Sequence, residues 1–361
     1  MVILKSRPED FVVEEVIEIS HKKNNCLAFT LKKRNENTVG AIKKIARALG
    51  IPFKNFGYAG LKDKHAVTKQ KVSVKNAKKK DLCSITLKNI EITDIERGDE
   101  IGVGDHRGNN FRIIVRDVNE VREIGEGFPN LFGEQRLGGN EDVGREMLRG
   151  DFESAVKTLL SREGMEKQIE KEEFDKLLTT YPNIYEKNAL RSLIHKKNYL
   201  KALKTIPSHV LRLYVHAYQS YIFNKLLKMR LERLDLRKIE QGDIICTDKF
   251  EKKAYVPVNA SNVEQVQRTE SRPVLPIIGY KTRIYRNTKK DLELLLKKEK
   301  VTLKDFKMKS LPFLSSRGTY RELIGRYEDL SWELKDRTLF CEFFLPKGEY
   351  ATVFIDYLLL S

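Results

Sequence analysis

Cysteine is scarce in this chain and tryptophan nearly missing. The 361 residues hold four cysteines and one tryptophan. Cys26, Cys83, Cys246 and Cys341 are widely and unevenly spaced, with no C-x-x-C pair. That argues against a zinc site and a disulfide framework, and it suits a reducing compartment. No apolar run approaches the roughly 20 residues that a bilayer span requires, so no membrane partner is expected. The N-terminal "MVILKSRPEDF" lacks a basic n-region and a cleavage site, so no signal peptide is expected and a cytoplasmic location is. Acidic residues are outnumbered, 51 against 68 Lys and Arg, which leaves a formal charge of +17. A polyanionic partner follows from that excess, with nucleic acid the first candidate.

Several chemical signatures are also missing. There is no G-x-x-x-x-G-K-[ST], no H-E-x-x-H and no G-x-S-x-G. "GVGDHRG" misses the dinucleotide fingerprint by one residue and precedes a strand where that fingerprint opens a helix. The acids of "GDE" and "YED" are scattered, which speaks against a metal-dependent nuclease and leaves no metal or cofactor expected.

What is present reads as strand-rich ends around a helical middle. "DFVVEEVIEI" alternates, with Phe11, Val13, Glu15 and Ile17 on one face. "CLAFTLKK", "TKQKVSV" and "FRIIVRDV" read as further strands. The segment "ENTVGAIKKIARALGIP" reads as a helix capped by Asn37 or Thr38 and ended by Gly50 and Pro52. "NAKKKDLCS" suggests a short helix capped by Asn76. From about Asp142 to Leu234 the pattern is helical. Its clearest element is capped by Ser208, with Leu211, Tyr214, Val215, Tyr218 and Ile222 as its stripe. "GDIICTDKFEKKAYVPVN" and "RPVLPIIGYKTRI" predict a second β region. "WELKD", "TLFCEFFL" and a final helix in "EYATVFIDYLLL" close the chain. One α/β domain interrupted by an insertion is expected.

Three stretches carry candidate chemistry. "HRGNNFRI" places Asn109 and Phe111 at the start of a strand, where an amide can read a base edge and an aromatic can stack. An Asn-rich turn with a core Phe explains the same residues. "FPNLFGEQRLGG" is a glycine-broken loop with Arg136, either structural or brought close to a ligand. In "YAGLKDKHAVTKQ", Asp63 lies between Lys62 and Lys64 in a short connection before a strand, a usual place for catalytic groups. The lysines would balance its charge and draw in a phosphate chain. A lone Asp in a turn is more often structural. The residues alone thus support an RNA-binding α/β protein with one conspicuous aspartate.

"GYAGLKDKHAVTKQ" resembles the signature of the TruD family of tRNA pseudouridine synthases, Gly-x-Lys-Asp followed by Ala-x-Thr-x-Gln. Further segments follow in the family's order: "LKSRPEDFVVEE", "RGNNF", "PNLFGEQRLGG", "HAYQSYIFN" and "LPKGEYAT". Leu137 and Tyr350 stand where the family often has phenylalanine. The resemblance implies an α+β fold. Residues 1–138 and 325–361 would form a pseudouridine synthase catalytic domain with a mixed, mostly antiparallel sheet. Residues 139–324 would form a largely helical TRUD insertion domain. It also implies isomerisation of uridine to pseudouridine in tRNA, at uridine 13 of the D arm, by a monomer without cofactor. Asp63 would be the essential carboxylate, with Lys5 as its paired cation. Phe11 and Phe111 would pack around a flipped base, Asn109 would hold it, and Tyr350 would lie nearby. Lys62, Lys64 and Arg136 are the expected RNA-backbone contacts. The competing reading is a non-catalytic RNA-binding protein that kept the fold.

Overall fold

The computed structural model describes residues 2–161, 165, 169–181, 184–249, 252–267 and 271–359. Its fold is α+β. The chain forms two compact units, one from residues up to Phe128 together with those from Gly325 onward, the other from Pro129–Ile324. The upstream join lies ten residues before the expected 138/139 boundary. The aromatic residues explain the difference. Phe128 packs its ring on Phe354, at 5.2 Å, whereas Phe132 packs on Phe223, at 5.3 Å. The loop from 129 to 138 therefore goes with the second unit.

The first unit begins with β1 (Ile3–Leu4), β2 (Phe11–Val16) and β3 (Cys26–Arg34), followed by α1 (Thr38–Leu49). Next come β4 (Phe56–Tyr58), β5 (Val67–Val74), α2 (Lys79–Cys83), β6 (Ile90–Gly98) and β7 (Gly108–Arg116). Asn37 caps α1 by accepting from the Gly40 N–H at 2.7 Å. Gly50, at φ 66°, closes the helix in the left-handed region. Asn76 does not cap α2: it sits at φ 62°, a turn conformation, and the helix starts only after Lys78. A capping residue needs extended backbone, which the turn after β5 denies it.

In the second unit the main helices are α3 (Asn140–Arg149), α4 (Phe152–Leu160), α5 (Ile184–Lys196), α6 (Ser208–Leu231) and α7 (Arg286–Glu299). Pro207, not Ser208, occupies the cap position of α6. Leu211, Val215, Tyr218 and Ile222 are buried as the stripe predicts, and Phe223, Leu226 and Leu227 extend it. Four strands, β8 (Ile244–Lys249), β9 (Lys252–Pro257), β10 (Arg272–Ile277) and β11 (Thr319–Glu322), pair antiparallel in the order β9-β8-β10-β11. The two residues between β8 and β9, part of a predicted strand, lie outside the described residues.

The chain then returns to the first unit with β12 (Glu328–Lys335), β13 (Thr338–Pro346) and α8 (Ala351–Leu358). β13 pairs with β7 so that Phe343 lies opposite Phe111. Both chain ends thus complete one nine-stranded sheet, ordered β12-β13-β7-β2-β5-β3-β6, with β1 on β7 and β4 on β5. β2 and β5 run parallel, and the other described pairs run antiparallel.

Opposed residues of paired strands share a sheet face. On one face two apolar clusters form. Phe11, Val13, Ile113, Leu339, Phe343 and Leu345 pack with Phe354 and Ile355 of α8. Phe29, Leu31, Val72 and Val74 pack with Ile42 and Ile45 of α1. Between them the register places a polar strip: Glu15 opposite Asn109, and Thr68 opposite Lys33. The other face carries exposed ion pairs such as Lys69–Glu14 and Arg112–Glu342, each worth at most about 1 kcal/mol.

Candidate active site

The loop from 59 to 66 lies over the polar strip, between β4 and β5. Gly57, just before it, is required by space: a Cβ there would come within 2.4 Å of the Ile101 carbonyl. Gly60 has room, since a Cβ there would meet only the His106 ring, at 3.8 Å. The glycines therefore serve packing of the loop's entry, and only Gly57 is fixed by a close approach.

Buried hydrogen bonds pin the loop from below. Thr38 Oγ1 accepts from the Lys62 N–H at 3.0 Å and donates to Gln70 Oε1 at 2.9 Å. Gln70 Nε2 in turn donates to the Gly60 carbonyl at 3.1 Å. Asn37 and Thr38, alternatives as caps in the sequence, thus divide the work. Asn37 caps the helix, while Thr38 holds the loop.

Lys33 is the strongest anchor. Its ammonium is buried and donates to the carbonyls of Glu36 at 2.6 Å and Asp63 at 2.7 Å, with a longer contact to Lys62 O at 3.4 Å. Burial pushes its pKa down to about 8, against the opposing pull of the Asp63 and Glu36 charges. Within the charge run "LKKR" the one signal for Lys33 is alternation along β3, which puts it on the face of Phe29 and Leu31 and turns Lys32 and Arg34 the other way.

Asp63 itself keeps 35% of its side chain exposed. Lys5 Nζ meets its Oδ2 at 2.8 Å and lies 3.9 Å from the centre of the Phe11 ring. Lys5 has φ 60°, an uncommon conformation for a long side chain. Phe11 is 1% exposed, so it forms a floor beneath the ammonium rather than an open stacking surface. Its ring meets Phe111 edge-on at 6.0 Å, and Phe111 stacks on Phe343 at 5.4 Å with 22° between planes. Phe111 is the half-buried member of this set.

Lys62, expected at the RNA backbone, is turned inward. Its side chain is 6% exposed and pairs with Glu15 Oε1 at 2.7 Å, while donating to Asn109 Oδ1 at 2.6 Å. A buried glutamate opposite Asn109 demands a cation, and Lys62 is the nearest. Lys64 is exposed. Arg136 lies in the second unit, where it donates to Ser220 Oγ at 2.9 Å and sits 4.9 Å from the Phe132 ring. Tyr350 stands at the N-terminus of α8, whose Phe354 packs on Phe343 at 4.4 Å. His106, which opens the "HRGNNFRI" stretch, borders the loop. Burial, aided by the Lys62 charge, lowers its pKa.

The arrangement supplies a partly exposed carboxylate held at its backbone by Lys33 and at one oxygen by Lys5, which itself sits over the Phe11 ring. Such a group can act as nucleophile or base. Among the described residues, no three His, Cys, Asp or Glu side chains gather as a metal site, and no helix is long and apolar enough to cross a membrane.

Comparison with known proteins agrees with the motifs over almost the whole chain. A family model described as tRNA pseudouridine synthase D (TruD) matches residues 2–356. The "Probable tRNA pseudouridine synthase D" of Thermococcus sibiricus is 34% identical over 394 residues, covering 97% of this chain and 92% of that protein. Its namesake in Pyrococcus furiosus is 36% identical over 383 residues, with 97% and 93% covered. A crystal structure of a TruD protein from Methanosarcina mazei superposes with a TM-score of 0.77 at 26% identity, covering 99% of this chain and 93% of that one. The chain belongs to the TruD family of tRNA pseudouridine synthases, and with it to the isomerases.

Proposed function

We propose that this protein isomerises uridine to pseudouridine in tRNA, at uridine 13 of the D arm, with Asp63 as the essential carboxylate. The observation that carries the reading is a partly exposed aspartate, tied through its backbone to Lys33 and through one oxygen to Lys5, in a chain of this family. The reaction breaks the C1′–N1 bond, turns the uracil and joins C5 to C1′; the C5 proton leaves to water and N1 takes up a proton in exchange. Nothing is oxidised and no group is donated, so a monomer in the cytoplasm would need neither metal nor cofactor. In this reading the unit built from both chain ends is the catalytic domain, and 129–324 is the insertion.

Lys5 engages Oδ2 and leaves Oδ1 for attack on C1′ or for taking a sugar proton. Asn109 Oδ1 is occupied by Lys62, which leaves its amide hydrogens to meet a uracil carbonyl. Extruding a base from folded RNA costs a few kcal/mol. A stack on the Phe111 ring, worth about 1–3 kcal/mol, offsets much of it.

The test uses tRNA tritiated at uridine C5. Wild type should release tritium to water, and Asp63→Asn should release it at least about 10³-fold more slowly, as expected when a sole nucleophile or base is removed. Binding of tRNA should survive the substitution. Equal release by both proteins would remove Asp63 from its role. Release unaffected by uridine 13→cytidine in the RNA would move the target elsewhere. No release by either protein would favour the RNA-binding alternative.

A further inference from the structure

We propose that the C-terminal end of α1 and the turn after it form a second nucleotide site, which holds a base of the tRNA away from the target uridine. This rests on the reading of the protein as a tRNA pseudouridine synthase and adds a contact to it.

After Leu49, Gly50 reverses the chain into Ile51, Pro52 and Phe53. The reversal leaves a groove of about 430 Å³ lined by Lys43, Ala46, Arg47, Ile51, Pro52 and Phe53. That volume is within the range of small-molecule sites, about 300–1,000 Å³. Its wall is rigid, because Ile51 and Phe53 also pack on the apolar cluster beneath α1. Phe53 is held from one side by that core and keeps part of its ring open.

The rim is cationic. Lys43 and Arg47 are exposed one helical turn apart, and Lys43 Nζ lies 5.9 Å from the centre of the Phe53 ring. Among the described residues no carboxylate pairs with either. Lys44, between them, shows the contrast, since it is paired with Glu36. The polarity of a helix favours cations at its end. That accounts for Arg47 but not for an open apolar groove with an aromatic wall. A flat ring linked to phosphates satisfies both halves: the base lies on Phe53, and the phosphates meet Lys43 and Arg47.

Position supports RNA as the occupant. α1 starts at Thr38, whose hydroxyl holds the catalytic loop, so one helix connects the loop to the groove. Twelve residue steps at 1.5 Å give about 18 Å. That is roughly five stacked nucleotides at 3.4 Å each, so the second base belongs to the same RNA but is not the target.

The experiment measures tritium release from C5-tritiated tRNA by wild type, Lys43→Glu/Arg47→Glu and Phe53→Leu, across a salt series. The double reversal should raise KM at least about ten-fold with kcat within about two-fold, and flatten the salt dependence by about two phosphates. Phe53→Leu keeps the apolar wall but loses the aromatic face. It should raise KM about five- to ten-fold with the salt slope unchanged. If the double reversal impairs folding, Lys43→Gln/Arg47→Gln replaces it. Wild-type KM in either variant overturns the proposal. An effect of charge with a silent Phe53→Leu also overturns it, since only a phosphate contact would remain. Should the wild type release no tritium, the catalytic reading falls. The groove is then judged by tRNA filter binding, where the same two losses support it and their absence overturns it.

Discussion

Replacing Lys33 by methionine separates the stability of the loop from its function. The substitution keeps the apolar stem as far as Cε and removes the ammonium. Two carbonyls, of Glu36 and Asp63, lose their donor, at about 1–3 kcal/mol each. Against that stands the cost of burying the charge. Its pKa falls from 10.5 to about 8, which is roughly 3 kcal/mol at 1.36 kcal/mol per unit. The net change is then from about −1 to +3 kcal/mol, so the fold should survive. Activity should not be spared, because Asp63 loses its backbone anchor. A displacement of about 1 Å costs on the order of 10²-fold in rate. The pH profile gives the sharper signature. In wild type the charge-assisted bonds weaken as pH rises through about 8, so kcat should decline there, whereas Lys33→Met should be flat between pH 7.5 and 9. Stability moves the opposite way. The unfolded chain keeps this proton to about 10.5 and the folded chain only to about 8, so between them unfolding takes up a proton and the contribution of Lys33 to stability rises with pH. Tritium release and thermal melting across pH test both. A Lys33→Met protein with wild-type kcat, or with the same decline near pH 8, would refute the argument.

Gly57→Ala should destabilise by about 1–3 kcal/mol, read as a lower melting temperature, because its Cβ would meet the Ile101 carbonyl at 2.4 Å; Gly60→Ala should be far milder. In the second unit Arg230 holds Asp243 with two bonds of 2.7 and 2.8 Å, both side chains buried, so Arg230→Met should cost about 3–5 kcal/mol by denaturant titration. An Arg230→Met protein as stable as wild type would show the pair to be dispensable. Binding to tRNA should weaken steeply with salt given the +17 charge. About 10³-fold or more between 50 and 200 mM is expected for six or more phosphate contacts, and a flat dependence would remove electrostatics as the main source of affinity.

Much was legible in the sequence because it is written in local rules. Alternation gave β2 and its buried face through Phe11, Val13 and Glu15, and the 3.6-residue stripe gave α1 and α6. Spacing between glycines, Asp63 and the following strand marked the loop. Local rules failed where backbone conformation chose among equivalent residues, as at Asn76, whose left-handed turn prevents it from capping α2. They failed again at the 129–138 loop, whose assignment depends on which aromatic partner Phe128 and Phe132 find.

Charge was the hardest property to read. Lys5, Lys33, Lys62 and Lys64 are the same residue type in a lysine-rich chain, and apart from alternation at Lys33 nothing local distinguishes them. Strand pairing separates them: Lys33 lies opposite Thr68 on the buried face and anchors the loop, while Lys62 is drawn to a glutamate that β2 places beside Asn109. Lys5 reaches Asp63 across 58 residues of sequence, and Lys64 is left in solvent. The sequence by itself determined that a carboxylate would sit in a basic loop before a strand. Residue-level rules left the lysine that serves it open and the family resemblance named Lys5; the tertiary structure sets that pair at 2.8 Å and turns Lys33 and Lys62 to other partners, because desolvation and pairing act between atoms brought together by the fold, not between neighbours in the chain.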